Sequence, residues 1–265
     1  MGFDTQRIAE LEQILPQIYQ GLAASIPGTE VIIRDDLILI CSQSYPDPDI
    51  NRAFLLRTTP EKAEPLIDEI IEKYTSNGMP TNILISPACS PADLPKRLLK
   101  RGFVKQEPDE SWLVYENLQA AKIPPTDPKI IVKPVVKAEV ETFAKVMTAA
   151  FGMSPEWVSM LAQVLEPTVG LPNLTHYLAY RDGEPMATLT LMREKNLVVI
   201  GSGGVVPEQR GSSLIFNLAV KALAQAQAEG AETIVGQTTV GPLLERYLRI
   251  YGFKLAFKRA CYKLE

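Results

Sequence analysis

The chain has 265 residues, of which 46% are apolar and 22% charged, and its net charge is -4. That length allows one large domain or two ordinary ones, and the composition is that of a globular chain rather than a disordered one. The acidic balance excludes the broad basic surface that steers proteins toward nucleic acid, and the run Lys96, Arg97, Lys100, Arg101 reads better as a solvated helix face.

At the N-terminus, Phe3-Asp4-Thr5 places an acid where a secretory leader needs basic residues, and Glu10 and Glu12 follow. Gln6 stands where a myristoylation signal needs Ser or Thr. No apolar run approaches the ~18–20 residues that cross a bilayer. The expectation is a cytoplasmic protein with no membrane partner. Cys41, Cys89 and Cys261 are far apart and odd in number, which suits reduced thiols rather than a disulfide framework or a zinc site. The single histidine, His176, sits in the strand-like Leu174-Thr175-His176-Tyr177-Leu178 and reads as structural, so no metal is expected.

In chain order, Thr59-Pro60-Glu61 opens a helix-like stretch over Leu66 to Tyr74, followed by a short strand at Ile83 to Ile85. The turn Leu98-Leu99-Lys100-Arg101-Gly102-Phe103 then precedes a strand at Ser111 to Tyr115. Residues 121–128, Ala-Lys-Ile-Pro-Pro-Thr-Asp-Pro, carry three prolines that can continue neither a helix nor a central strand. They predict a linker between domains at 1–120 and 129–265.

Beyond it, Lys129 to Val135 predicts a strand. Ala138 to Phe151 predicts a helix, with Val140, Phe143, Ala144, Met147 and Phe151 at helical spacing. Ser154-Pro155-Glu156 opens another helix. Strands at His176 to Tyr180 and Met186 to Met192 flank the hairpin signal Asp182-Gly183, and Leu197 to Val206 is a further strand. A helix over Leu214 to Ala228, a strand at Thr233 to Val235, a helix over Leu243 to Ile250 and a strand within Phe253 to Leu264 complete the pattern. This mixture defines an α+β fold, a mixed α/β sandwich around one sheet. The halves repeat one order of elements, each with a Pro-Glu helix opening (Pro60, Pro207), a short strand and a Gly-Phe turn (Gly102, Gly252), and predict a tandem duplication.

The chemistry concentrates in Val205-Val206-Pro207-Glu208-Gln209-Arg210-Gly211-Ser212-Ser213-Leu214. A strand stops at a proline, a loop with arginine and glycine follows, and an amphipathic helix begins. The first amides of a helix have no partners within it and carry partial positive charge. A glycine turn before such an end lets N–H groups converge on an anion, to which Arg210 adds a cation and Ser212 or Ser213 a hydroxyl. On physical grounds alone, an ordinary strand-to-helix loop fits these residues equally well. Upstream, the glycines of Gly201-Ser202-Gly203-Gly204 mark a bulge or a close backbone approach.

Val205-x-Pro207-x-x-Arg210-Gly211-x-Ser213, with the later Tyr251-Gly252-Phe253, resembles the GNAT superfamily of acyl-CoA N-acyltransferases across nearly all of 129–265. The resemblance implies a GNAT-like fold in two tandem copies and acetyl-CoA as co-substrate. Its pyrophosphate would lie on the amides of Gln209, Arg210, Gly211, Ser212, Ser213 and Leu214, and its pantetheine along Val205 and Val206. It further implies direct attack by a primary amine on the acyl carbonyl, with a small-molecule amine as the expected partner and a homodimer allowed. The alternative is a non-catalytic acyl-CoA-binding or interaction protein of the same fold.

Three departures from the family pattern stand out. Ser213 replaces a glycine or alanine. The family's acid tyrosine slot holds Leu248, which leaves Tyr247, one residue earlier, as the best candidate general acid and Tyr251, just before Gly252, as a weaker alternative. No carboxylate lies in the strand Leu197 to Val206, which leaves Glu194 as a weak candidate base; the resemblance implies another, the terminal carboxylate on Glu265, because some tandem members of the family bring the C-terminus into the site. In the first half, Ala63-Glu64-Pro65 occupies the place of Arg210-Gly211-Ser212, and the acid there would repel a pyrophosphate. That half is expected to be a degenerate copy without CoA binding.

Overall fold

A computed structural model describes residues 3–23, 28–44, 50–238 and 242–265. Among them the chain runs through α1 (Thr5–Ala23), β1 (Thr29–Ile33), β2 (Ile38–Ser42), β3 (Arg52–Phe54), α2 (Ala63–Thr75), β4 (Thr81–Ile85), α3 (Leu94–Lys100) and β5 (Val104–Tyr115). It continues with β6 (Ile130–Pro134), α4 (Val140–Phe151), α5 (Trp157–Leu165), β7 (Leu174–Arg181), β8 (Glu184–Glu194), β9 (Leu197–Val205), α6 (Leu214–Ala228), β10 (Thr233–Thr238), α7 (Pro242–Ile250) and β11 (Lys254–Leu264). Mixed strands and helices in this order are the α+β architecture expected from the sequence.

Two compact units result, one of residues 1–114 with 237–265 and one of residues 115–236. This corrects the expected division at 121–128. Residues 237–265 join the first unit because β11 lies between β4 and β5, pairing antiparallel with both: Cys261 faces Leu84 on one side and Lys263 faces Val104 on the other. The proline-rich segment belongs to the second unit. Just before it, the Leu118 amide donates to the Glu232 carbonyl at 2.9 Å. Gln227 Nε2 donates to the Leu118 and Ala121 carbonyls, both at 2.9 Å. These bonds hold the stretch against the end of α6.

In the first unit the strand order is β1-β2-β3-β4-β11-β5, with β3 and β4 parallel. Its core joins Leu39, Leu66, Ile67, Ile70, Tyr74, Ile83, Leu98 and Tyr262, so the helical stripe of α2 and the inner faces of β2, β4 and β11 supply one apolar layer. A buried ionic cluster also holds β11. The Arg259 guanidinium lies 4.9 Å from the Trp112 ring and 5.2 Å from the Phe54 ring. Its Nε donates to Glu110 at 2.6 Å and its Nη1 to Glu12 at 3.3 Å. Burial raises the Glu12 carboxyl above its ordinary range, against the opposing pull of Arg259 and Ser86. Burial also acts to raise Glu110, but Arg259 and Arg52 outweigh it and hold that carboxyl low.

The strands of the second unit run β10-β9-β8-β7-β6, with β9 and β10 parallel and the other neighbours antiparallel. Val140, Phe143 and Val146 of α4 pack on Leu178 and Val206. Gly152, at φ +66, ends α4 in the left-handed conformation that glycine tolerates. The hairpin turn falls at Asp182 and Gly183, both at positive φ, as the Asp-Gly signal predicts.

Candidate functional site: a bulged strand leading into an open helix end

β9 pairs with β10 through four positions, from Leu197 opposite Thr233 to Ile200 opposite Gly236. It then continues to Val205, and over Gly201–Val205 no further pairing with β10 occurs among the described residues. On its other edge, against β8, Thr190 faces Gly201 and Thr188 faces Gly204, so Ser202 and Gly203 together oppose Leu189. This is a β-bulge. Ser202 sits in it at φ +48, a left-handed conformation rare for a residue with a side chain. Gly204 is required by close approach, since a Cβ there would lie 2.8 Å from Cβ of Ala150 and 3.1 Å from the Phe151 ring. The glycine-rich stretch is therefore both a bulge and a close approach, as the sequence suggested.

The chain then turns through a short 3-10 segment at Pro207–Gln209 and reaches Gly211 at φ +82. No atom would oppose a Cβ at Gly211, so its backbone conformation is what calls for glycine there. Ser213 precedes α6, whose first residue, Leu214, is fully buried and anchors the helix start. The N–H groups of Gly211, Ser213 and Ile215 have no hydrogen-bond partner among the described residues, and that of Leu214 has only a 3.5 Å contact from Ser212 Oγ. Unpaired amides at a helix start attract an anion. The amides of Gln209, Arg210 and Ser212 contribute less, because they bond the carbonyls of Val206, Pro207 and Gln209.

Three side chains at the loop have roles that sequence reasoning did not supply. The Arg210 guanidinium donates to the Ala150 carbonyl at 3.0 Å, fastening the loop to the last turn of α4, where the helix dipole favours a cation. Ser213 Oγ donates to the Asp127 carboxylate at 3.4 Å, which places a negative charge beside the helix start. Arg181 donates to the Gln209 side chain at 2.9 Å. Val205 is half-buried and pairs with Ala187. Val206 is buried in the α4 core and its amide donates to Met186, so its side chain serves packing.

Tyr247 lies on α7, but its side chain falls outside the described residues. Glu265 has an 86% exposed side chain ion-paired with Lys263 at 3.0 Å, and it belongs to the first unit. The weak candidate Glu194 ends β8. His176 is buried, 2.8 Å from both Thr168 and Thr190, and burial pushes its pKa down to about 4. That is the structural histidine expected. Among the described residues no group of three or more His, Cys, Asp or Glu side chains is placed to hold a metal.

The first unit closes the corresponding place. After β3, Arg57 forms a parallel bridge to Ser90, the Ser90 amide donates to Leu56 at 2.9 Å and the Thr58 amide to Ser90 at 3.1 Å. A stretch of main chain thus fills the strand edge that β9 leaves unpaired. At the start of α2, Glu64 is ion-paired with Arg97 and Arg101, both at 3.2 Å.

No protein-family model and no curated protein matches this sequence. Solved structures do match. A GCN5-related N-acetyltransferase from Kribbella flavida is 16% identical, with a TM-score of 0.73 over 99% of this chain and 96% of that one. One from Sphaerobacter thermophilus is 14% identical, with a TM-score of 0.64 over 88% and 82%. This chain has the fold of the GCN5-related N-acetyltransferases, the GNAT fold. A tandem GNAT protein from the clavulanic acid biosynthesis pathway, 12% identical with a TM-score of 0.64, matches over 94% of each chain. That match extends through both compact units of the present protein.

Proposed function

We propose that this protein is an N-acetyltransferase that moves an acetyl group from acetyl-CoA to a primary amine by direct attack. The observation that carries the reading is the continuous run from the bulge at Ser202, along the unpaired edge of β9, to the open amides at Gly211, Ser213 and Ile215. These amides, with Arg210, suit a pyrophosphate, and the strand edge suits the amide groups of a pantetheine.

Acetyl-CoA would supply an activated thioester. The amine lone pair forms the C–N bond as the C–S bond breaks, the amine loses a proton, and the departing sulfur gains one. We assign the proton donor to Tyr247 and the proton acceptor to Glu265, each as a role to be tested. Acetyl-CoA binding followed by calorimetry, then a panel of primary amines followed by thiol release, tests the reading. Saturable binding with turnover of at least one amine is expected, and absence of any binding overturns it.

A second reading, a non-catalytic acyl-CoA-binding protein of this fold, is favoured by one observation: β9 carries no carboxylate along its unpaired edge to take a proton from the amine. Binding without turnover of any amine would select it.

A further inference from the structure

β8 carries two buried threonines opposite the two ends of the bulge: Thr188 faces Gly204 and Thr190 faces Gly201. Their hydroxyls are committed differently. Thr190 bonds His176 Nδ1 at 2.8 Å. Thr168 donates its own hydroxyl proton to the Leu165 carbonyl at 2.6 Å, so it accepts from His176 Nε2–H, and Thr190 in turn donates to Nδ1. Thr190 is therefore tied back into β7 and the segment after α5. Thr188 is tied forward: its Oγ1 donates to the carbonyl of Ser202 at 2.9 Å. Ser202 is the left-handed residue of the bulge, held there at a steric cost that the surroundings must offset. Among the described residues no other side chain donates a hydrogen bond to the Ser202 carbonyl.

We propose that Thr188 is a positioning residue for the acyl group: by holding the Ser202 carbonyl it fixes the bulge, and with it the direction of the unpaired backbone groups of β9 that meet the thioester. The proposal rests on the acetyl-CoA reading and adds to it a residue that touches neither the co-substrate nor the acceptor. Thr188 is fully buried, so its effect passes through the Ser202 peptide. The pyrophosphate seat around Gly211 and Ser213 is a separate set of amides. Loss of the Thr188 hydroxyl should therefore affect recognition of the acetyl group and leave recognition of the rest of the molecule intact.

The test is calorimetry of the full chain with acetyl-CoA and with CoA as probes. The wild type should bind acetyl-CoA more tightly than CoA. Thr188→Val, which keeps the shape and removes the hydroxyl, should bind CoA within about twofold of wild type and lose about fivefold of the acetyl preference, the worth of one hydrogen bond. Thr188→Ser should restore it. A role in stability alone would weaken both probes equally, and that result, or an unchanged preference in Thr188→Val, overturns the proposal. If Thr188→Val does not fold, Thr188→Ala takes its place. Hydrogen exchange on the wild type then provides a second measurement: the amides of Gly203 and Val205 should be protected more by acetyl-CoA than by CoA, and equal protection overturns the proposal. A wild type that binds CoA without acetyl preference removes this inference alone, and one that binds neither removes the acyltransferase reading as well.

Discussion

Leu55 and Ser202 share a left-handed backbone, at φ +52 and φ +48, and Leu55 stands as far before Pro60 as Ser202 stands before Pro207. Each lies two residues beyond the last position of its strand that pairs parallel with the next strand of its own unit, Ala53 opposite Ile83 and Ile200 opposite Gly236. A non-glycine residue pays of order 1–2 kcal/mol to sit there. The same strained residue at the same offset is evidence for duplication that outlasts side-chain similarity. In one copy the strand edge beyond it is open, and in the other it is occupied by Ser90. Calorimetry should therefore give one acetyl-CoA per chain. Glu64→Arg, which reverses the charge at the start of α2, should not create a second site, because the bridge between Arg57 and Ser90 remains.

Charge at the loop sets the next expectation. Arg210→Ala should weaken acetyl-CoA binding about tenfold by removing a cation and the fastening to Ala150, and Arg210→Glu should weaken it further by placing a carboxylate beside the phosphates. Asp127→Asn should do the opposite and tighten binding several-fold, since Asp127 presents a negative charge at Ser213. Both effects should shrink as salt rises from low to physiological strength. Ser213→Gly should bind within a few-fold of wild type while costing ~1 kcal/mol of helix stability.

Tyr247→Phe distinguishes an enzyme from a binding protein. If Tyr247 protonates the leaving thiolate, kcat should fall ~10²-fold or more while acetyl-CoA affinity stays near wild type. Steady-state kinetics beside calorimetry reads both numbers. An unchanged kcat would assign the proton to water.

His176 predicts a specific pH dependence of stability. Its folded pKa of about 4 lies below the ordinary 6.5, because burial disfavours the charged ring. The unfolded chain therefore takes up a proton first as pH falls. The contribution of the neutral ring is complete above about pH 6.5 and is lost progressively toward pH 4, by up to about 3 kcal/mol. Denaturant titrations at pH 7 and pH 4.5 should show that loss in the wild type, and His176→Gln should lack this part of it.

Arg259 should be among the most sensitive positions of the first unit. Arg259→Ala leaves Glu12 and Glu110 buried without their shared cation and should cost roughly 3–5 kcal/mol. A denaturation midpoint close to wild type would show that the two carboxyls protonate at little cost.

Local signals were legible wherever the physics is local. The span of α6, the turn at Asp182-Gly183 and the glycine-rich bulge all follow from periodicity, left-handed preference or missing side chains. What escaped is non-local. Nothing in Lys254–Leu264 states that its partners are β4 and β5, because strand alternation specifies faces and not neighbours. The Arg210 bond to Ala150 is equally silent, since an exposed-looking arginine in a polar loop carries no mark of the carbonyl it will meet. Thr188 reads as any β-branched strand residue, and only the register shift beside it reveals what its hydroxyl does.

The insertion of β11 between β4 and β5 dictates an order of events in synthesis. Residues 115–236 form a unit from one uninterrupted stretch, whereas the first unit must wait for 254–264 before its sheet is whole. During translation, β4 and β5 therefore leave the ribosome with facing edges unsatisfied while the later-made unit can already close. Such edges invite wrong pairing and chaperone attention. The pairing of Leu84 with Cys261 also closes a very long loop, which slows folding more than it weakens the product. A peptide of residues 254–264 supplied in trans to a chain ending at residue 253 should accelerate recovery of native structure, as a missing stave closes a cask.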